Sequence, residues 1–331
     1  VTDGASFAIA RQEGDLRTAL ARVLDDLGVT ARLGDAVFLK PNFTYPFPKE
    51  GVTTSRELIS TLVELLRDAG VRRICLGEGE GGYNAFSMDE TFAAYRLEEL
   101  TDRYGLEVVN LNRWPSTTIP VEGRRGRWDV PLPSPVLEEF DTFLTLPVPK
   151  VHSMTRISGA VKNQWGIVQD PMRLALHLGL DEILTEVTAR LPNAVAVVDG
   201  TWGLTGNGPM IEGEAIALDW VAASDDLWLC DLVLCHLMGQ RPEQVQPLGW
   251  ALKQGVVPSM AASRLPSDLD EFVDDRFYLK RNAWNRLAKV TWYSSRLNHL
   301  VYFSKASGAL HRVMYSVRTK PDELSARGVD W

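Results

Sequence analysis

The chain has 331 residues, is 45% hydrophobic and carries a formal net charge of −8. That length suits one large α/β domain or two packed lobes, and a core of this size needs no disulfide or metal staple. The acidic balance argues against general nucleic-acid binding, and three cysteines without CxxC spacing argue against a disulfide framework, a zinc site or an iron–sulfur cluster.

Cys75, Cys230 and Cys235 read instead as reduced thiols in apolar surroundings. No run reaches the roughly 18 apolar residues of a spanning helix. Residues 1–14 lack a basic stretch followed by an apolar one, so no signal peptide is expected. The expected compartment is the cytoplasm.

Residues 6–10 read as a short strand. Asp15 then caps a helix with Leu16, Leu20, Val23, Leu24 and Leu27, closed by Gly28. Residues 36–39 form a buried strand that runs straight into Lys40, Pro41 and Asn42. Thr54 or Ser55 caps a second helix with the apolar stripe Leu58, Ile59, Leu62, Leu65 and Leu66. Gly70 ends it, and residues 74–76 form the next strand. Strand, helix, strand at this spacing is a βαβ unit, which predicts a parallel sheet. Further strands are expected over 106–109, 142–146, 194–198 and 220–223, and helices over 174–190 and 227–238. Residues 115–135 are proline-rich, hold a basic turn at Arg124, Arg125 and Arg127, and read as a connector or hairpin.

The predicted fold is therefore α/β, a mostly parallel sheet flanked by helices. The family-like core spans 1–255, as two closely packed Rossmann-like lobes over 1–114 and 136–255 joined by 115–135. Residues 256–331 form a basic, aromatic C-terminal extension.

Ligands of open parallel sheets bind beyond the carboxyl ends of the strands. The predicted strands exit into Lys40-Pro41-Asn42, into the glycine-rich run 77–82, into Lys150-Val151-His152, and into Asp199-Gly200 followed by Gly206, Asn207 and Gly208. The glycines of 77–82 let backbone approach a ligand and turn N–H groups toward an anion. Their spacing is not GxGxxG and they follow the third strand, which argues against a dinucleotide site. Glu78 and Glu80 read either as solvated acids or as a general base or divalent-metal ligands.

Lys150, His152, Arg156, Lys162 and Asn163 crowd a short stretch, which raises the potential and favours a carboxylate or phosphate ligand. His177 fits a core or a site position equally, while His236, His299 and His311 read as structural. Asp199, at a strand end before a glycine, can hold metal, orient a lysine or cap the turn. Asp225 and Asp226 read as caps of the helix at Leu227, with Asp231 inside that helix.

These stretches together resemble the domain-of-unknown-function 362 family. The matching residues are Lys40-Pro41-Asn42, Thr53-Thr54, the 77–82 run, Leu146 to His152, Gly159 to Gly166 with Lys162-Asn163, Asp199-Gly200 with Gly206 to Pro209 and Gly213, and the helix at 225–239. The resemblance spans roughly residues 36 to 255. Many members are similar to iron–sulfur proteins through an added ferredoxin-type cysteine segment. This chain has no such segment, so no iron–sulfur cluster is expected. The lysine loop, capped helix and acidic glycine loop also resemble, at the level of fold, the N-terminal lobe of lactate-racemase-like proteins.

Two function classes fit. The first is an enzyme acting on an anionic small molecule by lyase, isomerase, cyclase or group-transfer chemistry. Lys40, Asn42, Lys150, Arg156 and Asn163, with backbone at Gly81 and Gly208, would bind substrate. Glu78, Glu80 and Asp199 would act as base or hold Mg²⁺ or Mn²⁺. Lys162, counted with the catalytic residues, would hold the anionic group, and His152 would shuttle a proton. The second class is a non-catalytic anion- or metabolite-binding module, or a redox-associated protein as the iron–sulfur relatives imply. Carboxylates set among cations favour the enzyme, since anion capture alone needs no acids.

Residues 276–320 hold ten Lys/Arg and no Asp or Glu, interleaved with Phe277, Tyr278, Trp284, Trp292, Tyr293, Tyr302, Phe303 and Tyr315. Packing on the acidic body, a homo-oligomer interface and peripheral contact with a membrane surface all fit.

Overall fold

The computed structural model describes residues 4–80, 86–170, 173–210, 212–283, 285, 289–290, 293–302 and 304–306. The chain begins with β1 (Phe7–Arg11), α1 (Leu16–Asp26), β2 (Ala36–Lys40), α2 (Arg56–Asp68), β3 (Arg73–Glu78), α3 (Met88–Ala94), α4 (Glu98–Tyr104) and β4 (Glu107–Asn110). A hairpin of β5 (Ser116–Gly123) and β6 (Gly126–Pro133) leads through α5 (Ser134–Glu138) to β7 (Thr142–Thr145), β8 (Lys150–His152), β9 (Arg156–Ser158), α6 (Ala160–Asn163) and α7 (Leu180–Thr188). The long pair β10 (Val195–Gly206) and β11 (Gly213–Ser224) precedes α8 (Leu227–Leu237), α9 (Leu248–Gln254) and α10 (Ser295–Tyr302).

One nine-stranded sheet runs through the molecule in the order β1-β11-β10-β7-β2-β3-β4, with β8 and β9 attached at β10. From β10 to β4 every neighbour along that path is parallel. At the other edge β11 runs antiparallel to both β1 and β10. The sheet is thus mostly parallel and flanked by helices, as predicted. Strands from 1–114 and from 136–255 interleave within it.

Side-chain alternation sorts the strands between two cores. Val37, Leu39, Ile74, Leu76, Val195 and Val197 pack with α1 and α2 through Leu20, Leu24, Leu58 and Leu62. Phe38, Cys75, Phe143, Ala196 and Val198 face the opposite layer, where Ile183 and Leu184 of α7, Leu229 and Val233 of α8, and Val121 and Val130 of the hairpin meet them. The caps follow the sequence closely. Asp15 accepts from the Arg17 amide, Ser55 from Leu58 and Asp226 from Leu229. Thr54 has a different task. Its hydroxyl donates to the Leu146 carbonyl (2.6 Å) and accepts from the Asn42 amide (2.8 Å), tying together the exits of β7 and β2.

Three features depart from the sequence expectation. β10 and β11 run 12 residues each, well past the predicted 194–198 and 220–223. The extra stretch of β10 reads as loop because of Gly203 and Gly206, but Gly203 is needed for packing: a Cβ there would stand 2.7 Å from the Phe277 ring. The helix expected over 174–190 is a 3₁₀ segment (Arg173–Gly179) followed by α7. The Trp128 ring occupies the space beside Gly179, 2.7 Å from where a Cβ would stand. Helices α3 and α4 were not anticipated, although the Ser87/Glu90 capping box of α3 is legible in the sequence.

Leu62 is fully buried at the α2–sheet contact. Leu62→Ala is expected to cost about 2–5 kcal/mol, read as a lower urea midpoint with an unchanged slope.

Candidate functional site

The exits of β2 and β3, together with the β8–β9 pair, border a cavity of about 100 Å³. Lys40, Asn42, Glu78, Lys150, His152, Lys162 and Asn163 line it, joined by Arg173, Trp165, Gly166 and Pro209. Seven residues expected from the sequence are thereby brought together.

At the floor lies a buried ion pair. Lys40 Nζ donates to Glu78 Oε2 at 2.7 Å and to the Pro41 carbonyl at 2.7 Å. The two side chains are 1% and 5% exposed. Glu78 also accepts from the Phe43 amide (3.2 Å) and the Gly79 amide (3.0 Å), which supplies the extra hydrogen bonds that a buried carboxylate requires. Gly79 and Gly166 meet backbone to backbone, with the Gly79 amide donating to the Gly166 carbonyl at 3.1 Å. A Cβ on Gly166 would lie 2.2 Å from Glu78 Oε1 and 2.6 Å from Lys40 Nζ. Only glycine lets this segment close over the pair.

Glu78 and Asp170 act on Arg173 from a distance, and Glu78 on Lys150, each only partly offsetting burial. Lys150 Nζ is buried and donates to the Val52 carbonyl at 2.7 Å. Burial holds its pKa well below the ordinary lysine value, and Lys162 and Lys40 push the same way. Lys162 faces the cavity, and burial, helped by Arg173, lowers its pKa to about 8. Arg173 donates to the carbonyls of Glu80, Gly79 (3.4 Å) and Val168 (3.3 Å).

His152 is fixed in one tautomer. Its Nδ1 accepts from the amides of Met154 (3.1 Å) and Thr155 (3.4 Å), so the proton of the neutral ring resides on Nε2. Burial and the neighbouring cations hold its pKa well below the usual histidine value. The neutral ring therefore presents Nε2–H as its hydrogen-bond donor.

Asn163 acts as a brace. Its Nδ2 donates to Thr145 Oγ1 (2.9 Å) and to the carbonyls of Lys40 (3.1 Å) and Pro41 (3.4 Å). The short helix α6, which carries Lys162 and Asn163, is pinned from α8. Asp231 Oδ1 accepts from the Ala160 amide (2.6 Å) and Oδ2 from the Val161 amide (3.3 Å). Burial raises the Asp231 pKa to about 7 against the lowering effect of those two donors.

Other expected residues stand apart from the cavity. Glu80 Oε1 accepts from Asn110 Nδ2 at 2.7 Å. Asp199 accepts from the Ser55 amide (2.6 Å) and the Thr201 amide (3.3 Å), since strand alternation puts it on the α2 side with Val195 and Val197. Glu78, Glu80 and Asp199, read from the sequence as base or metal ligands, are thus each held by different partners. Among the described residues no three His, Cys, Asp or Glu side chains group to hold a metal. Arg156, at φ +78°, donates from Nε to Gln240 (2.9 Å) outside the cavity. Gly208 contributes through its backbone: its carbonyl accepts from the Ser153 amide at 3.0 Å, and a Cβ would meet the Val151 carbonyl at 2.0 Å. Gly81 lies outside the described residues. His177 is buried against Trp165, ring centroids 5.1 Å apart, with its pKa lowered by burial to about 3. It packs behind the cavity wall.

Sequence reading missed Arg173. It follows no strand, and its only signal is a basic residue just before a predicted helix. Trp165 lies inside the Gly159 to Gly166 stretch, whose pattern gives it no role of its own.

Breaking the floor pair should be costly. Glu78→Leu is expected to lose about 3–5 kcal/mol, because Lys40 is left buried without a counter-ion, whereas Lys40→Met/Glu78→Leu together should recover most of that loss. Urea unfolding of the two single variants and the double variant checks this.

A family model described as "Domain of unknown function (DUF362)" matches residues 37–236. A protein described as thylakoid-associated, from Synechocystis sp., is 26% identical over 288 residues, covering 81% of this chain and 84% of that one. Among solved structures, the lactate racemase apoprotein from Thermoanaerobacterium thermosaccharolyticum overlays with a TM-score of 0.45 at 14% identity, covering 67% of this chain and 54% of that chain. A structural-genomics protein from Thermotoga maritima gives 0.42 at 11% identity, covering 66% and 58%. This chain thus spans little more than half the length of either solved structure. The family match takes in β2 through most of α8, including every described residue placed in the cavity, and this chain belongs to the DUF362 family.

Proposed function

We propose that the cavity binds a small molecule through a carboxylate or phosphate group and performs acid–base chemistry on it. The observation that carries this reading is the imbalance of charge. Lys40, Lys150, Lys162 and Arg173 line one cavity against the single carboxylate of Glu78, which already serves Lys40. Burying an ammonium group without a counter-ion costs several kcal/mol, and an anionic ligand would supply the missing charge.

In this reading Lys150 and Arg173 hold the anion. Lys162, which titrates near neutrality, takes or gives the proton. His152, through Nε2–H, donates to an oxygen that gains charge in the transition state. Asn42 and the backbone near Pro209 shape the rim. Proton abstraction beside a carboxylate, followed by isomerisation, elimination or ring closure, is the reaction class these roles support.

The three buried, unpaired thiols suit a reducing compartment such as the cytoplasm. The description of the Synechocystis relative as thylakoid-associated supports placing this chain's work at a membrane surface.

Calorimetry with inorganic phosphate and with small carboxylates tests the binding. Lys150→Met and Lys162→Met should each weaken binding by roughly ten- to a hundredfold, matching about 1.5–3 kcal/mol for a charge-assisted contact. Parent-like binding by both would remove the cavity from consideration. A catalyst is separated from a binding module by exchange of the ligand's acidic C–H in D₂O, followed by NMR and lost in Lys162→Met.

The pH dependence has a definite sign. A protonated Lys162 adds its charge to the field on the anion that Lys150 and Arg173 hold, so affinity should fall as pH rises through about 8. Lys162→Arg should move that fall to higher pH. Because folding lowers this pKa, the unfolded chain binds the proton more tightly between about 8 and 10.5, and the group adds stability as pH rises across that window.

A further inference from the structure

The extension after α9 is bolted to the rim of the cavity. The segment around Leu279 pairs with the end of β10: the Gly206 amide donates to the Tyr278 carbonyl and the Lys280 amide to the Gly206 carbonyl, both at 2.9 Å. Arg281 Nε then donates to the Ser153 carbonyl at 2.6 Å, one residue beyond His152. Further on, α10 lies against the 3₁₀ segment that begins with Arg173. The extension is therefore held beside the cavity at two places.

Its outer surface is unlike the rest of the protein. All six exposed large apolar side chains among the described residues belong to it, and four follow residue 275: Tyr278, Val290 (55% exposed), Leu297 (38%) and Leu300 (47%). On α10, Leu297 and Leu300 are three residues apart and so share a face, and the flanking Arg296 is exposed. Lys289 and Lys305 are exposed as well. No acidic residue occurs from 276 to 320, so nothing in that stretch offsets the charge locally. On a chain of net charge −8, a stretch whose own charges are all basic and which exposes leucine and valine fits a surface that is itself anionic outside and apolar within. A nucleic acid would satisfy the cations and leave the leucines in water.

We propose that the face formed by Lys289, Val290, Arg296, Leu297, Leu300 and Lys305 docks on an anionic lipid bilayer, with the apolar residues entering the headgroup region and the cations meeting lipid phosphates. This rests on the membrane placement proposed above and is independent of the chemistry assigned to the cavity. Because the extension is fastened at Ser153 and beside Arg173, docking would set the cavity rim next to the bilayer. Basic groups act on anionic lipid within a Debye length and are screened by salt, while apolar insertion is not.

The test is co-sedimentation of the full chain with vesicles of phosphatidylcholine alone and of phosphatidylcholine with a third phosphatidylglycerol, at low salt and in about 0.5 M NaCl. The parent should pellet with the anionic vesicles, and the pelleted fraction should fall several-fold in high salt. Lys289→Glu/Arg296→Glu should abolish pelleting, and Leu297→Ser/Leu300→Ser should reduce it several-fold, with melting and phosphate binding in the cavity unchanged in both. Pelleting of the parent that both variants retain would overturn this face while leaving the membrane placement intact. No pelleting with any vesicle would overturn both. A concentration-dependent dimer lost in the leucine variant, without vesicle binding, would show that a second copy of the chain covers the face and would overturn the lipid assignment.

Discussion

Lys40 and Glu78 stand at the ends of two adjacent parallel strands, and the ion pair between them sets the terms for everything around it. A carboxylate and an ammonium removed from water pay a desolvation cost that their mutual attraction offsets only when the remaining lone pairs and protons are also satisfied. Here they are: two backbone amides reach Glu78 and one carbonyl reaches Lys40. That requirement explains the local backbone. Pro41 must present its carbonyl, Phe43 its amide, and Gly166 must pass so close that no side chain fits. The loops of 41–43, 79 and 166 are fixed by the pair, and the cavity is the space they leave.

With its acid committed to Lys40, Glu78 cannot also neutralise Lys150 and Lys162. The cavity walls then carry charge of one sign, and each of those groups responds as desolvation dictates: both lysines fall in pKa, and His152 stays neutral with its basic nitrogen turned to the backbone. The same logic reaches outward. Asp231 is spent on the amides of α6 and Asn163 on the exits of β2 and β7, so the groups that hold Lys162 in place are not themselves facing it. Positioning and chemistry are carried by different residues.

Much of this was legible in the sequence. Short continuous apolar runs at 36–39, 74–76 and 194–198 located the central strands, and most of the polar residues that follow them located the cavity, because a parallel sheet delivers all its carboxyl ends to one edge. Asp15, Ser55 and Asp226 announced their helices. What escaped has a common cause. Asp199 falls inside the longer β10 and Glu80 just beyond β3, and which side such a residue takes depends on register and on local twist. Composition does not record either. Arg173 enters from a 3₁₀ segment whose position is set by Trp128 packing on Gly179, a long-range contact. Gly203 and Gly206 looked like loop residues, yet they keep β10 extended under Phe277 and beside Tyr278.

Cys75 lies within β3 three residues before Glu78, while Cys230 and Cys235 lie on α8 either side of Asp231. All three thiols are buried, and burial raises the pKa of each, so an alkylating reagent finds no reactive thiolate until the chain opens. The protein thus carries native reporters of its own opening, one in the strand that ends in the ion pair and two in the helix that pins Lys162. Comparing how fast a maleimide marks them would resolve whether the sheet edge and the helix release together or in turn, without introducing a foreign probe.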